Sequence, residues 1–130
     1  MMTVASAFVL CGLLLYCLLV AAVPGQPAAP EICNILSTRC TVRYQLPADE
    51  GDAHVTGYHV QRCVVMDGDE RQWEMVSEAP VTDLELIVEH MKPLSRYQFR
   101  VAAENQFGVG DFSPPSQFIT TDQSVCIELK

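Results

Sequence analysis

The stretch Tyr97-Gln98-Phe99-Arg100-Val101-Ala102-Ala103-Glu104-Asn105-Gln106-Phe107-Gly108-Val109-Gly110-Asp111-Phe112-Ser113-Pro114-Pro115-Ser116 decides how the rest of the chain is read. In its first half Tyr97, Phe99, Val101 and Ala103 fall on one side of an extended chain, with Gln98, Arg100, Ala102 and Glu104 on the other. Apolar side chains spaced two apart mark a strand that buries one face. Asn105, Gly108 and Gly110 then supply residues that tolerate positive φ, so the chain reverses and Phe112 opens another extended run. The expectation is a hairpin with a long, glycine-rich tip.

The same reading extends outward from this hairpin. On its N-terminal side, Leu84 to Val88 reads as a strand because Ile87-Val88 favour extension and Pro93 stops a helix from continuing. Gln72 to Val76 is another strand and carries the only tryptophan. Val55 to Val65 is a third, with Tyr58 and Val60 facing inward, and Met66-Asp67-Gly68-Asp69-Glu70 is the turn joining the two. Further back, Cys40, Val42 and Tyr44 alternate with Thr41, Arg43 and Gln45 until Pro47, and Glu31 to Leu36 forms the first strand. On the C-terminal side, Ser116 to Thr121 forms the seventh strand and Asp122 to Lys130 a frayed tail. Seven short strands separated by turn signals predict an all-β, seven-stranded antiparallel sandwich whose inward faces share one core. Tyr44, Tyr58, Val60, Tyr97, Phe99 and Val101 are the expected centre of that core.

The chain has 130 residues and a net charge of −8, a balance that disfavours nucleic acid, which calls for clustered Lys and Arg. Residues 1–23 are almost wholly apolar and carry no charge. They read as a signal peptide, with Val20 and Ala22 at the small-residue positions before a cut. With no Lys or Arg ahead of the apolar run, a retained signal anchor and an unrepresentative terminus stay open as alternatives. Residues 24–30 hold three prolines and a glycine and suit a linker or an extended entry strand. Residues 31–121 then form the domain and 122–130 the tail. Cys33, Cys40, Cys63 and Cys126 show no CxxC spacing, so neither a zinc site nor a redox motif is expected; free buried thiols are the plain reading, and in a secreted protein the four allow three disulfide pairings, none of which the sequence selects.

Several motifs, in their order and spacing, resemble a fibronectin type III domain over roughly Pro27 to Thr121. They are Tyr44 followed by Pro47, Thr56-Gly57-Tyr58-His59-Val60, Trp73, Pro80-Val81-Thr82-Asp83-Leu84, Met91-Lys92-Pro93-Leu94, Tyr97 to Asn105, Gly108-Val109-Gly110 and Ser113-Pro114-Pro115-Ser116. The family usually places Trp where this chain has Tyr44, which adds a hydroxyl that needs a partner when buried. Tyr97 matches the family's tyrosine corner, whose phenol bonds to backbone near Met91 to Leu94. Within the family, Pro80 to Leu84 and Ala103 to Gly110 are most similar to repeats of the titin and myosin-binding-protein group. That likeness implies a cytoplasmic, sarcomeric setting, whereas the apolar N-terminal segment implies a secreted or membrane-anchored extracellular one. Phe112-Ser113 with Ser116 also loosely resembles the serine signature of cytokine receptors, with Pro115 where the second aromatic belongs.

No catalytic set emerges. His54, His59 and His90 are read as solvent-facing, and the pairs Asp49 with Asp52 and Asp67 with Asp69 sit in polar loops where acids are common. Neither a cofactor, a metal nor an enzymatic activity is expected. The expected role is a protein-protein interaction or scaffold module, with a mechanical spacer repeat of a muscle cytoskeletal protein, or a fragment of a cell-surface receptor or adhesion ectodomain, as the alternatives. Its partners would be other proteins, with a membrane reached only through the N-terminal segment. The candidate partner loop is Gln106, Phe107, Asp111 and Phe112, whose aromatics on a rigid support can anchor a partner; the alternative is that Phe107 or Phe112 covers the open end of the core.

Overall fold

The two-residue alternation builds eight ladder segments, seen in a computed structural model that describes residues 21–65 and 72–124. They are β1 (Glu31–Cys33), β2 (Cys40–Arg43), β3 (Gly57–Val65), β4 (Trp73–Met75), β5 (Glu85–Val88), β6 (Arg96–Asn105), β7 (Gly108–Val109) and β8 (Ile119–Thr120). One sheet has the order β1-β2-β5; the other runs β4-β3-β6, with β7 and β8 both on the far edge of β6. All pairings are antiparallel, and among the described residues there is no helix. The Met66 to Glu70 turn, residues 1–20, Cys126 and most of the tail lie outside the described residues.

The inward faces meet as the alternation requires. Val42, Val60, Val88, Phe99 and Val101 are fully buried, joined by Tyr44, Tyr58, Tyr97, Cys40, Met91 and Ala103. Burying one large apolar side chain of this kind is worth roughly 1.5–3 kcal/mol. Tyr44 and Tyr58 pack with ring centroids 4.9 Å apart. The Tyr44 hydroxyl, a polar group placed in the core, donates to the Asp83 carbonyl at 2.6 Å, and burial pushes its pKa upward. The strand ends are trimmed relative to expectation. β1 stops at Cys33 because Asn34 takes a left-handed φ of 50°, a conformation Asn accepts and β structure does not.

Two expectations about the hairpin are corrected. The tip is a tight turn of Gln106 and Phe107, and of its three supposed positive-φ residues only Gly108 uses that freedom, at φ 142°. Asn105 instead ends β6 in extended form and works through its side chain. The second correction concerns the outward face of β6, where Gln98 and Ala102 are buried along with the inward set. They are covered because the returning chain does not simply run off as a regular strand.

That returning chain follows β6 in a broken register. Gly110 N–H bonds to the Ala103 carbonyl, Ser113 to Val101, Ser116 to Phe99 and Thr121 to Ser95. Each step uses one more residue on the returning side than on β6, a bulge at each repeat. Pro114 and Pro115 have no N–H to offer there, and the serine side chains fill the gap. Ser113 Oγ accepts from the Val101 amide and Ser116 Oγ from the Phe99 amide, both at 3.0 Å. The expected seventh strand, Ser116 to Thr121, is paired as a ladder only at β8, while the expected glycine-rich tip contributes β7, and a bulged, proline-bearing segment joins the two.

Residues 22–30 pack onto the sandwich in extended form, with Pro24, Pro27 and Pro30 buried. Gly110 is required at this contact, because a Cβ there would overlap the Pro24 carbonyl oxygen. The strap is held by Ala22 N–H to Asp52 Oδ2 at 2.6 Å, Asp52 N–H to the Ala22 carbonyl at 3.0 Å and Gly25 N–H to the Asp49 carbonyl at 2.8 Å.

Candidate functional site

The apical turn is assembled around one buried side chain. Asn105, 2% exposed, donates through Nδ2 to the carbonyls of Ala22 at 3.1 Å and Glu50 at 3.0 Å, while its Oδ1 accepts from the Phe107 amide at 2.8 Å. One amide thus ties together the strap, the 49–53 loop and the turn. A buried Asn is stable only when its donors and acceptor are matched in this way. The consequence is a fixed platform on which Phe107 and Val109 are each 45% exposed and Val23 is 38% exposed. Val23 Cγ1 lies close enough to touch a Cβ at Gly108, which places all three on one pole.

The four candidate loop residues do not act alike. Gln106 and Phe107 lie exposed on this pole, and Asp111 is exposed just beyond β7. Phe112 turns onto the outer face of the β3-β6 sheet, where the Arg100 guanidinium carbon sits 4.4 Å from its ring centroid and 4.4 Å from that of Trp73. Arg100 Nε also donates to Gln61 at 2.8 Å, and Arg96 lies 4.4 Å over the Phe118 ring. This layer of aromatics and arginines covers the outward face of β6. Alternation alone did not reveal it, because Arg100 reads as a solvent residue until its two ring partners are brought from distant strands.

The acids of the 49–53 loop bond to backbone amides. Asp49 Oδ1 accepts from Gly51 N–H at 2.8 Å, and Asp52 is engaged with Ala22. Glu50 caps the Val55 amide at 2.9 Å and lies 3.5 Å from exposed His54. His59, expected to face solvent, is instead half-buried with Nε2 2.6 Å from Glu104 Oε1, because the β3-β6 register makes Glu104 its diagonal cross-strand neighbour. His90 is exposed at a left-handed position after β5. Asp67 and Asp69 lie outside the described residues. Among the described residues no three His, Cys, Asp or Glu side chains gather to hold a metal ion. Cys33, Cys40 and Cys63 are free thiols; burial pushes the Cys40 pKa up to about 11, with further upward influence from Cys33. No helix among the described residues is long and apolar enough to cross a membrane.

Fold and sequence agree with known proteins. The fibronectin type III domain family model matches residues 25–119, and the chain belongs to that family. It is 36% identical over 101 residues to the muscle M-line assembly protein unc-89 of Caenorhabditis elegans, covering 75% of this chain and 1% of that protein. It is 32% identical over 95 residues to the cardiac-type myosin-binding protein C of Homo sapiens, covering 73% of this chain and 7% of that protein. The solved structure of titin domains A168–A170 superposes with a TM-score of 0.71 at 27% identity, covering 79% of this chain and 34% of that one. The chain thus spans a small part of the curated relatives it matches, one module's worth of much longer polypeptides.

Proposed function

We propose that this chain is a non-catalytic protein-protein interaction module that meets its partner through the apical pole. The observation that carries this reading is the exposure of Phe107 and Val109, at a turn whose backbone is held by buried Asn105, with Val23 of the strap beside them. An apolar cluster presented on a rigid support loses little entropy on binding, which is what an anchoring surface needs. Asp111 and Gln106 supply a polar rim. Phe112, stacked on Arg100, supports the sheet and leaves anchoring to Phe107.

The test compares the full chain with a Phe107→Ala, Val109→Ser variant for capture of filament proteins from muscle extract, with melting temperature as control. Loss of capture at an unchanged melting temperature supports recognition through this pole. Unchanged capture with a lowered melting temperature favours a second reading, a mechanical spacer repeat. The identity to an M-line assembly protein and to myosin-binding protein C favours a muscle cytoskeletal setting for either reading. A secreted or anchored chain is the competing setting, carried by the apolar residues 1–23. N-terminal sequencing of the full chain made in animal cells separates them, since a product in the medium starting near Val23 rules out the cytoplasmic setting.

A further inference from the structure

A second surface, away from the apical pole and independent of it, lies along the free edge of β5. The Tyr44 amide donates to the Leu84 carbonyl at 3.1 Å, which sets the phase of the β2-β5 ladder. In that phase Leu84, Leu86 and Val88 direct their peptide groups to β2, and Glu85 and Ile87 direct theirs to the opposite edge. Among the described residues no strand pairs with that edge. Its protection is slight: Glu85-Leu86-Ile87-Val88 is short and charged at Glu85, but it holds no Pro or Lys and pairs with β2 without a bulge. Ile87 is 58% exposed and Leu84 48%. The β1-β2-β5 sheet is narrower than the one facing it, so a groove lined by Arg62, Met75, Val76, Leu86, Ile87, Glu89 and His90 stays open beside β5, with the Arg62 guanidinium engaged by the Glu74 carboxylate and the Glu89 carbonyl.

The charge around this edge is uneven. Glu85 is neutralised by Arg43 at 2.6 Å, and Glu74 by Arg62 at 2.8 Å. Asp83 and Glu89, exposed at either end of β5, form no ion pair among the described residues. We infer that the β5 edge receives an extended, basic segment of a partner protein as an added antiparallel strand. Its Lys or Arg residues lie opposite Asp83 and Glu89, six residues and about 20 Å apart, with an apolar residue opposite Ile87. The exposed peptide groups of Glu85 and Ile87 supply the main-chain bonds, and the groove takes the inward side chains. A second copy of the chain fits less well. The two-fold pairing that matches Glu85 with Ile87 of the other copy sets Asp83 against Glu89 at both ends, and each copy carries −8.

The test titrates the full chain, followed by amide NMR, with the peptide acetyl-Lys-Thr-Ile-Val-Thr-Val-Lys-amide. The expected result is saturable binding with shifts confined to residues 83–89 and Met75. A peptide with both lysines changed to glutamate should bind about tenfold more weakly. Ile87→Pro removes the outward amide and should abolish binding, and if that variant does not fold, Ile87→Lys should weaken it by repulsion. Phe107→Ala should leave binding unchanged, which separates this edge from the apical pole. Shifts elsewhere, equal binding of the glutamate peptide, no binding at all, or a concentration-dependent dimer lost in Ile87→Lys would each overturn the assignment.

Discussion

The Tyr97 hydroxyl accepts a hydrogen bond from the Lys92 amide at 2.8 Å, linking the start of β6 to the crossover that brings the chain over from β5. Tyr97 is 2% exposed, so its hydroxyl has little access to water. Nearby, Thr121 Oγ1 accepts from the Ser95 amide at 2.9 Å and donates to the Lys92 carbonyl, so the crossover is fastened from two sides. Tyr97→Phe keeps the ring and strands the Lys92 amide. The expected loss is about 1–3 kcal/mol, read by calorimetry as a clear fall in melting temperature with unchanged circular dichroism. An unaltered melting temperature would contradict the role given to this bond.

The two serines of the returning segment should matter as much as core residues. Ser113→Ala and Ser116→Ala each remove the acceptor for a buried β6 amide, Val101 in one case and Phe99 in the other. Each should cost about 1–3 kcal/mol. Hydrogen exchange supplies a specific readout: the Val101 or Phe99 amide should exchange faster in the matching variant while amides of β2 keep their protection.

Arg100 is expected to behave as a packing residue. Its guanidinium lies between the Trp73 and Phe112 rings. Arg100→Ala should therefore lower stability by about 1–2 kcal/mol and move the Trp73 emission to longer wavelength as the ring gains water. Arg100→Lys keeps the charge and loses the flat stack, so it should recover only part of the stability. Complete rescue by Lys would show that charge alone is what this site uses.

Stability should fall in alkaline solution. Burial holds the Cys40 thiol protonated up to about pH 11, whereas the ordinary value is 9.0. Between those values the unfolded chain gives up a proton that the folded chain keeps, so the unfolded state is favoured as pH rises. Tyr44 and Tyr58, also pushed upward by burial, act in the same direction. The melting temperature should decline as pH rises from 9 toward 11, and Cys40→Ala should flatten the early part of that decline. Cys40 should also resist alkylation at neutral pH in the folded protein, since the thiolate is the reactive form.

Much of the sandwich could be read from spacing because a strand has only two faces. Tyr58 and Val60 in β3, and Phe99 and Val101 in β6, recur at the one interval that puts neighbours on the same side, and Tyr58 pairs with Ala103 in the register that follows. Local punctuation marked the strand ends to within a few residues. Spacing failed where a residue's neighbour is supplied by another part of the chain. Arg100 and His59 look like solvent residues in isolation, and each acquires a partner from a different strand. The reading of Asn105 as a turn former missed its amide, whose acceptors lie 83 and 55 residues away.

By itself the order of residues determined the strands, the sheet class and the inward set, since those follow from alternation and from backbone rules acting over a few neighbouring positions. Tertiary structure alone decided that the outward face of β6 would be closed by Trp73, Arg100 and Phe112, that the returning strand would slip one residue at a time past its serines, and that the strap at Ala22 would be fastened to Asn105. Those outcomes depend on contacts between residues far apart in the chain, whose energies exist only once the two sheets have packed and water has been excluded between them.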